Sequence, residues 1–116
     1  FACGTMVSTA LTAAKQLSEQ GIEASVVDMY SIKPLDKEAI NAAKGNKLIV
    51  TIEEHSKMGG LGAAVAEVMC EDTGFPRLLR LGIADFFDLA GDYDGLLSQN
   101  RLTAFQIAED IQNALR

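Results

Sequence analysis

The chain has 116 residues, 48% of them hydrophobic and 22% charged, and a formal net charge of −6. That is enough for one domain that buries about two-thirds of its unfolded surface, and the acidity, with no basic cluster anywhere, speaks for solubility and excludes a nucleic-acid footprint. No apolar run approaches the ~20 residues that cross a bilayer, and no basic-then-apolar leader opens the chain, so the reading is a cytoplasmic protein without membrane contact.

Phe1-Ala2-Cys3 reads as the tail of a strand, and the chain enters a helical pattern almost at once, as expected of a domain cut from a longer polypeptide. The spacing of Val7, Ala10, Leu11, Ala14 and Leu17 predicts a helix over Thr5 to Gln20, with Gly21 just past its end. Ala24 to Met29 reads as a strand. A helix follows from Pro34-Leu35-Asp36 to Lys44-Gly45, with Asp36 as N-cap and Leu35 and Ile40 as a hydrophobic staple. Lys47 to Ile52 is a third strand, Gly60 to Glu71 a third helix, and Leu78 to Leu81 a short strand after Pro76. Gly82 to Asn100 is irregular apart from one short helix around Leu96. Thr103 and Gln106 form a capping box for the last helix, whose buried stripe is Ile107, Ala108, Ile111 and Leu115. Short apolar strands separated by helices call for parallel pairing with crossovers. The expected fold is a three-layer α/β/α open sheet, mainly parallel and Rossmann-like, formed by residues 1–116 as one domain.

In such sheets, sites are built at the carboxyl ends of strands. There Leu48-Ile49-Val50-Thr51-Ile52 gives way to Glu53-Glu54-His55 and then to Gly59-Gly60-Leu61-Gly62. Two carboxylates and the only histidine are the residue types of acid–base chemistry or of a pH switch. No nucleophile accompanies them, so the plainer reading leaves one glutamate in solvent and His55 packed at an edge. The glycines follow a strand and open a helix, a place where backbone N–H groups hold anions. They match neither GxGxxG nor GxxxxGK[ST], Glu53 and Glu54 would oppose an anion, and Lys57 is the only cation nearby. The competing reading is packing, with Gly60, Gly62, Ala63 and Ala66 bringing the helix close to a neighbouring backbone. Asp85, Asp88, Asp92 and Asp94 fail the calcium-loop spacing and read as a solvated turn region. Cys3 and Cys70 form no CxxC pair and with one histidine make no zinc site; Cys70 reads as a small buried hydrophobe.

The ordered set is more specific than its parts. Val27-Asp28-Met29-Tyr30-Ser31-Ile32-Lys33-Pro34-Leu35-Asp36, Ile49-Val50-Thr51-Ile52-Glu53-Glu54-His55, Gly59 through Glu67, and Arg80-Leu81-Gly82-Ile83-Ala84-Asp85-Phe86 together resemble the C-terminal domain of transketolase. The same domain occurs in deoxyxylulose-phosphate synthase and in the beta subunits of 2-oxoacid dehydrogenases, and the resemblance runs along nearly the whole chain. It implies a three-domain enzyme of the pentose phosphate pathway type, a transferase that moves two-carbon ketol units between sugar phosphates. Thiamine diphosphate and magnesium would be held by the N-terminal and middle domains, on the same chain or a partner subunit, across a homodimer interface. The domain seen here would serve assembly or regulation, hold no cofactor or metal, and be inactive alone. Glu53, Glu54, His55, Gly59, Gly60 and Gly62 would line an interface or effector site. Gly91-Asp92-Tyr93 does not match the family's Gly-Asp-Gly diphosphate motif, and Phe87-Asp88-Leu89-Ala90-Gly91 stands where relatives read Phe-Gly-x-Ser-Gly. The alternative expectation is a stand-alone regulatory module binding a small anion at the glycine loop.

Overall fold

A computed structural model describes all residues, Phe1–Arg116. The apolar run at Leu48 becomes β1 (Leu48–Ser56), which pairs in parallel with β2 (Arg77–Ile83). The register runs from Leu48 opposite Arg77 to Ile52 opposite Leu81, then breaks before Ser56 meets Ile83. On its other side the sheet continues through Ala2, which bridges in parallel to both Ile52 and Asp28. The sheet order is therefore residues 27–29, residues 1–3, β1 and β2. The chain reverses direction of winding between residues 1–3 and β1, the kind of switch point where open sheets place their sites.

Helices cover both faces. On one, α1 (Met6–Ser18) and α5 (Ala104–Leu115) pack with Ala2, Ile52 and Leu81. On the other, α2 (Lys37–Ala42) and α3 (Leu61–Cys70) enclose Met29 and Ile49 with Ile40, Leu61 and Val65. A short α4 (Tyr93–Gln99) follows β2 and touches the end of β1 through the Tyr93 hydroxyl on Glu54. The expected α/β/α architecture is thus present. No helix is long and apolar enough to cross a membrane.

The local signals behave as their chemistry requires. The Asp36 carboxylate accepts the Ala39 N–H at 3.0 Å and starts α2. Thr103 accepts the Gln106 N–H at 3.4 Å while its hydroxyl meets the Gln106 side chain, starting α5. Gly21 sits at φ +77 just beyond α1, a conformation that suits glycine.

Four expectations are corrected. Ala24 to Met29 is not a full strand: only its end bonds to the sheet, through the Val27 carbonyl and the Met29 amide on Ala2. The strand expected to stop at Ile52 runs on to Ser56, so Glu53, Glu54 and His55 lie on β1 and not on a loop. Cys70 is exposed, because it ends α3 facing outward, its thiol donating to the Glu67 carbonyl at 3.0 Å. Leu115, in the last turn of α5, leaves the buried stripe and lies partly in solvent, while Ile107, Ala108 and Ile111 keep it.

Candidate functional site

The carboxyl edge of the sheet is organised around Glu53. It follows the apolar run of β1 and stays inside with it, only 1% exposed. Its two carboxylate oxygens accept the N–H groups that open α3, from Leu61 at 2.7 Å and from Gly62 at 2.8 Å. The first N–H groups of a helix have no partner inside it, and the helix start favours negative charge. Glu53 meets both needs at once, with two charge-assisted hydrogen bonds.

This explains the glycines. A Cβ on Gly60 would stand 2.0 Å from the Glu53 Oε2 atom and 2.8 Å from the His55 Nδ1 atom. At Gly62 a Cβ would stand 2.8 Å from the Thr51 hydroxyl and 3.0 Å from the Arg80 Cδ atom. Gly82 on β2 closes the same pocket, where a Cβ would stand 2.9 Å from the His55 carbonyl and 3.1 Å from the Glu53 Cγ atom. The close approach expected at Gly60 and Gly62 is real, but it is to side chains and not to a neighbouring backbone. Gly59 is needed for a different reason, its φ of +77.

The other two ionisable residues face outward. His55 has a side chain 62% exposed, with Nδ1 3.9 Å from Glu53. The same Nδ1 lies 2.8 Å from the Ser56 carbonyl, which can only accept, so this nitrogen carries the proton. Glu54 is exposed and accepts two hydroxyls on one oxygen, from Thr5 at 2.7 Å and from Tyr93 at 2.8 Å. It thereby ties the start of α1 to the first residue of α4 across the switch point. The bond to Glu54 holds the Tyr93 phenol above its ordinary pKa, because ionisation would set two negative charges together. Nearby, burial pushes the Cys3 thiol up, helped by the negative charges of Glu53 and Asp28.

This geometry brings Glu53, His55, Gly60 and Gly62 together and leaves Glu54 in a separate cluster with Thr5 and Tyr93. Glu53 is committed to backbone donors, and no pair of groups converges on a common reacting atom. The helix start that would cradle a phosphate already holds a carboxylate from its own chain. The residues present do not fit the diphosphate of thiamine diphosphate, nor the small anion of the alternative reading. The acidic loop is engaged in its own turns: Asp92 caps α4 by accepting the Gly95 N–H at 2.7 Å, and Asp88 accepts from Asn100 at 3.0 Å. In the segments that follow residues 27–29, β1 and β2, the apolar side chains of Tyr30, Met58, Phe86, Phe87 and Leu89 are exposed.

Sequence reasoning missed Thr5, Thr51, Gly82 and Tyr93. Each lies on a different element and is recruited by the fold, so no local spacing announces it. The break from alternation in β1, with Thr51, Ile52 and Glu53 buried in succession, is a tertiary effect: α3 covers the face of Thr51 and Glu53 while α1 and α5 cover Ile52 on the other.

Comparison with known proteins agrees with the fold. The chain is 43% identical over 116 residues to a Methanocaldococcus jannaschii protein named as a transketolase C-terminal section, covering 100% of this chain and 36% of that protein. It is 40% identical over 110 residues to 1-deoxy-D-xylulose-5-phosphate synthase of Chlorobium phaeovibrioides, covering 94% of this chain and 17% of the synthase. A solved split-gene transketolase, described as an inactive beta4 tetramer, superposes with a TM-score of 0.86 at 43% identity over 98% of this chain and 36% of its own. The chain thus spans about a third or less of the length of these relatives. Residues 1–107 match the family model of the transketolase C-terminal domain, and the chain belongs to that family.

Proposed function

We propose that this chain is the C-terminal part of a thiamine diphosphate-dependent transferase of the cytoplasm that moves two-carbon ketol units between sugar phosphates, and that its own task is assembly. The cofactor and its magnesium ion would be held by N-terminal and middle domains, on the same polypeptide or a partner subunit, in a homodimeric enzyme. The observation that carries the reading is the carboxyl edge. Glu53 is spent on α3 and Glu54 on Thr5 and Tyr93, so the polar groups brace the edge and do not act on a substrate. Apolar side chains in the segments after residues 27–29, β1 and β2 meanwhile stand exposed, with Phe87 fully so. Exposed apolar patches of this kind mark surfaces that other proteins or domains cover. Relatives named as transketolase-type enzymes support ketol chemistry for the whole protein.

The test is analytical ultracentrifugation of the whole protein carrying Phe87→Ser. Phe87 touches little within this chain, so the variant is expected to keep its fold and to dissociate at concentrations where the parent stays assembled. An unchanged sedimentation profile, with unchanged proteolytic resistance between domains, would remove the assigned interface.

A further inference from the structure

The end of β1 brings together two cations that lie 23 residues apart in the sequence, Lys57 and Arg80. Lys57 is the first residue after β1, and β2 holds both of its backbone groups. Its N–H donates to the Ile83 carbonyl at 3.0 Å, and its carbonyl accepts from the Arg80 Nη1 atom at 3.2 Å. The stems of both side chains lie over glycines. A Cβ on Gly62 would stand 3.0 Å from the Arg80 Cδ atom and 3.1 Å from its Cγ atom, and one on Gly82 would stand 3.1 Å from the Lys57 Cγ atom. Glycine at these two positions leaves the space in which the two stems rest.

Neither cation makes a salt bridge, although the chain has 16 acidic residues against 10 basic ones. The nearest acid is already engaged: Glu53, whose Cγ atom would stand 3.1 Å from the same Gly82 Cβ, gives both oxygens to the start of α3. Arg80 is exposed, and the Lys57 carbonyl takes one of the five N–H donors of its guanidinium. A long cationic side chain ordinarily gives up much rotamer freedom when it forms an ion pair. Here the stems are held before any pair forms, which is the arrangement of a preorganised binding surface.

We propose that Lys57 and Arg80 together receive a carboxylate presented by the protein surface that covers this edge in the assembled enzyme, so that the covering surface carries an Asp or Glu beside apolar side chains. The inference rests on the assembly reading above and supplies the charge pattern of its interface. Charge complementarity selects this occupant. A guanidinium fork matches a carboxylate with two parallel N–H bonds, and the ammonium of Lys57 adds a second positive charge within reach. Met58, next to Lys57 and 62% exposed, gives the same surface an apolar contact. The residues that follow β2 carry the opposite sign, with Asp85, Asp88, Asp92 and Asp94 and no cation among them. An incoming carboxylate is repelled there and accepted at the cation pair, which fixes how the covering surface sits. A free small anion is the poorer occupant, because it meets a chain of net charge −6 and because Glu53 already takes the Leu61 and Gly62 N–H groups.

Carbodiimide coupling of the whole assembled protein, read by peptide mass spectrometry, tests this without any activity assay, because the reagent joins an amine only to a carboxylate in contact with it. The expected product is an amide between the Lys57 Nζ atom and an Asp or Glu outside residues 1–116. In Arg80→Glu that product should fall at least tenfold, with Lys57 joined to the introduced carboxylate instead. Inorganic phosphate added at constant ionic strength should leave the yield unchanged. The proposal is overturned if Lys57 of the parent protein stays a free amine, or couples only to carboxylates within residues 1–116 of its own or a second copy. It is overturned equally if Arg80→Glu leaves the product unchanged, or if phosphate suppresses it, which marks a small-anion site. The parent measurement needs no variant to fold. Dissociation of Phe87→Ser without the Lys57 product would leave the assembly reading in place and remove this inference alone.

Discussion

Replacing Glu53 by alanine is the sharpest perturbation of the carboxyl edge. The side chain is buried and its oxygens are the partners of the Leu61 and Gly62 N–H groups. Truncation orphans both donors, and each buried donor left without a partner costs ~1–3 kcal/mol. The loss of the carboxylate at the helix start adds ~0.3–1 kcal/mol, while removal of a desolvated charge gives some of this back. The net expectation is a loss of about 3 kcal/mol, a large share of the ~5–15 kcal/mol that holds a domain together, or a fall in Tm of about 12 °C at ~4 °C per kcal/mol. Glu53→Gln should lie between, because its amide oxygen can accept from one N–H while its NH2 group faces the other. The coupling to Gly60 is the stricter test. Gly60→Ala places a Cβ 2.0 Å from the Glu53 Oε2 atom and should destabilise the parent. In the Glu53→Ala background the nearer obstruction is gone and only the exposed His55 ring, at 2.8 Å, has to give, so the same change should cost much less. Thermal unfolding followed by circular dichroism measures all four proteins of this cycle. A Glu53→Ala loss below about 0.5 kcal/mol, within the range of ordinary surface changes, or a Gly60→Ala cost that is equal in both backgrounds, would refute the account.

Two other predictions concern single groups near the same edge. Thr51 is fully buried and its hydroxyl has no hydrogen-bond partner, so Thr51→Val should raise stability by about 1 kcal/mol by removing an unsatisfied polar atom, read as a higher Tm; a lower Tm would mean that the hydroxyl is satisfied in the folded protein. Cys3, half-buried and held protonated above its ordinary range by burial and by Glu53 and Asp28, should react with iodoacetamide much more slowly at pH 8 than the exposed Cys70, because the thiolate is the reacting form; mass spectrometry of partly alkylated protein that found Cys3 modified first would contradict the placement.

The parts of this fold that are legible in the sequence are those governed by near neighbours. Asp36 and Thr103 cap helices through atoms three residues away, and the apolar spacings of α1 and α5 bury Ala10, Leu17, Ile107, Ala108 and Ile111, while Leu11, named with them, stands exposed. The parallel α/β/α arrangement follows from strand spacing alone. Where the reading fails, the deciding partner lies on another element. Glu53 reads as a loop carboxylate that would repel an anion, and it is instead the anion on which α3 starts. Close approach is the right reading of Gly60 and Gly62, but the approaching atoms belong to Glu53, Thr51 and Arg80, which spacing within the glycine loop does not reveal. Residue type places Cys70 in the core, although its position at the end of α3 turns it outward. Ala24 to Val26 has strand-forming residues, yet these residues make no ladder hydrogen bond, and composition carries no information on pairing.

The most direct test of the central claim is ketol transfer by the whole protein, with a ketose phosphate donor, an aldose phosphate acceptor, thiamine diphosphate and magnesium. The account predicts turnover that saturates with thiamine diphosphate in the assembled enzyme and persists, at reduced thermal stability, in Glu53→Gln. A whole protein that neither binds thiamine diphosphate nor transfers the two-carbon unit would contradict it, as would turnover by residues 1–116 alone.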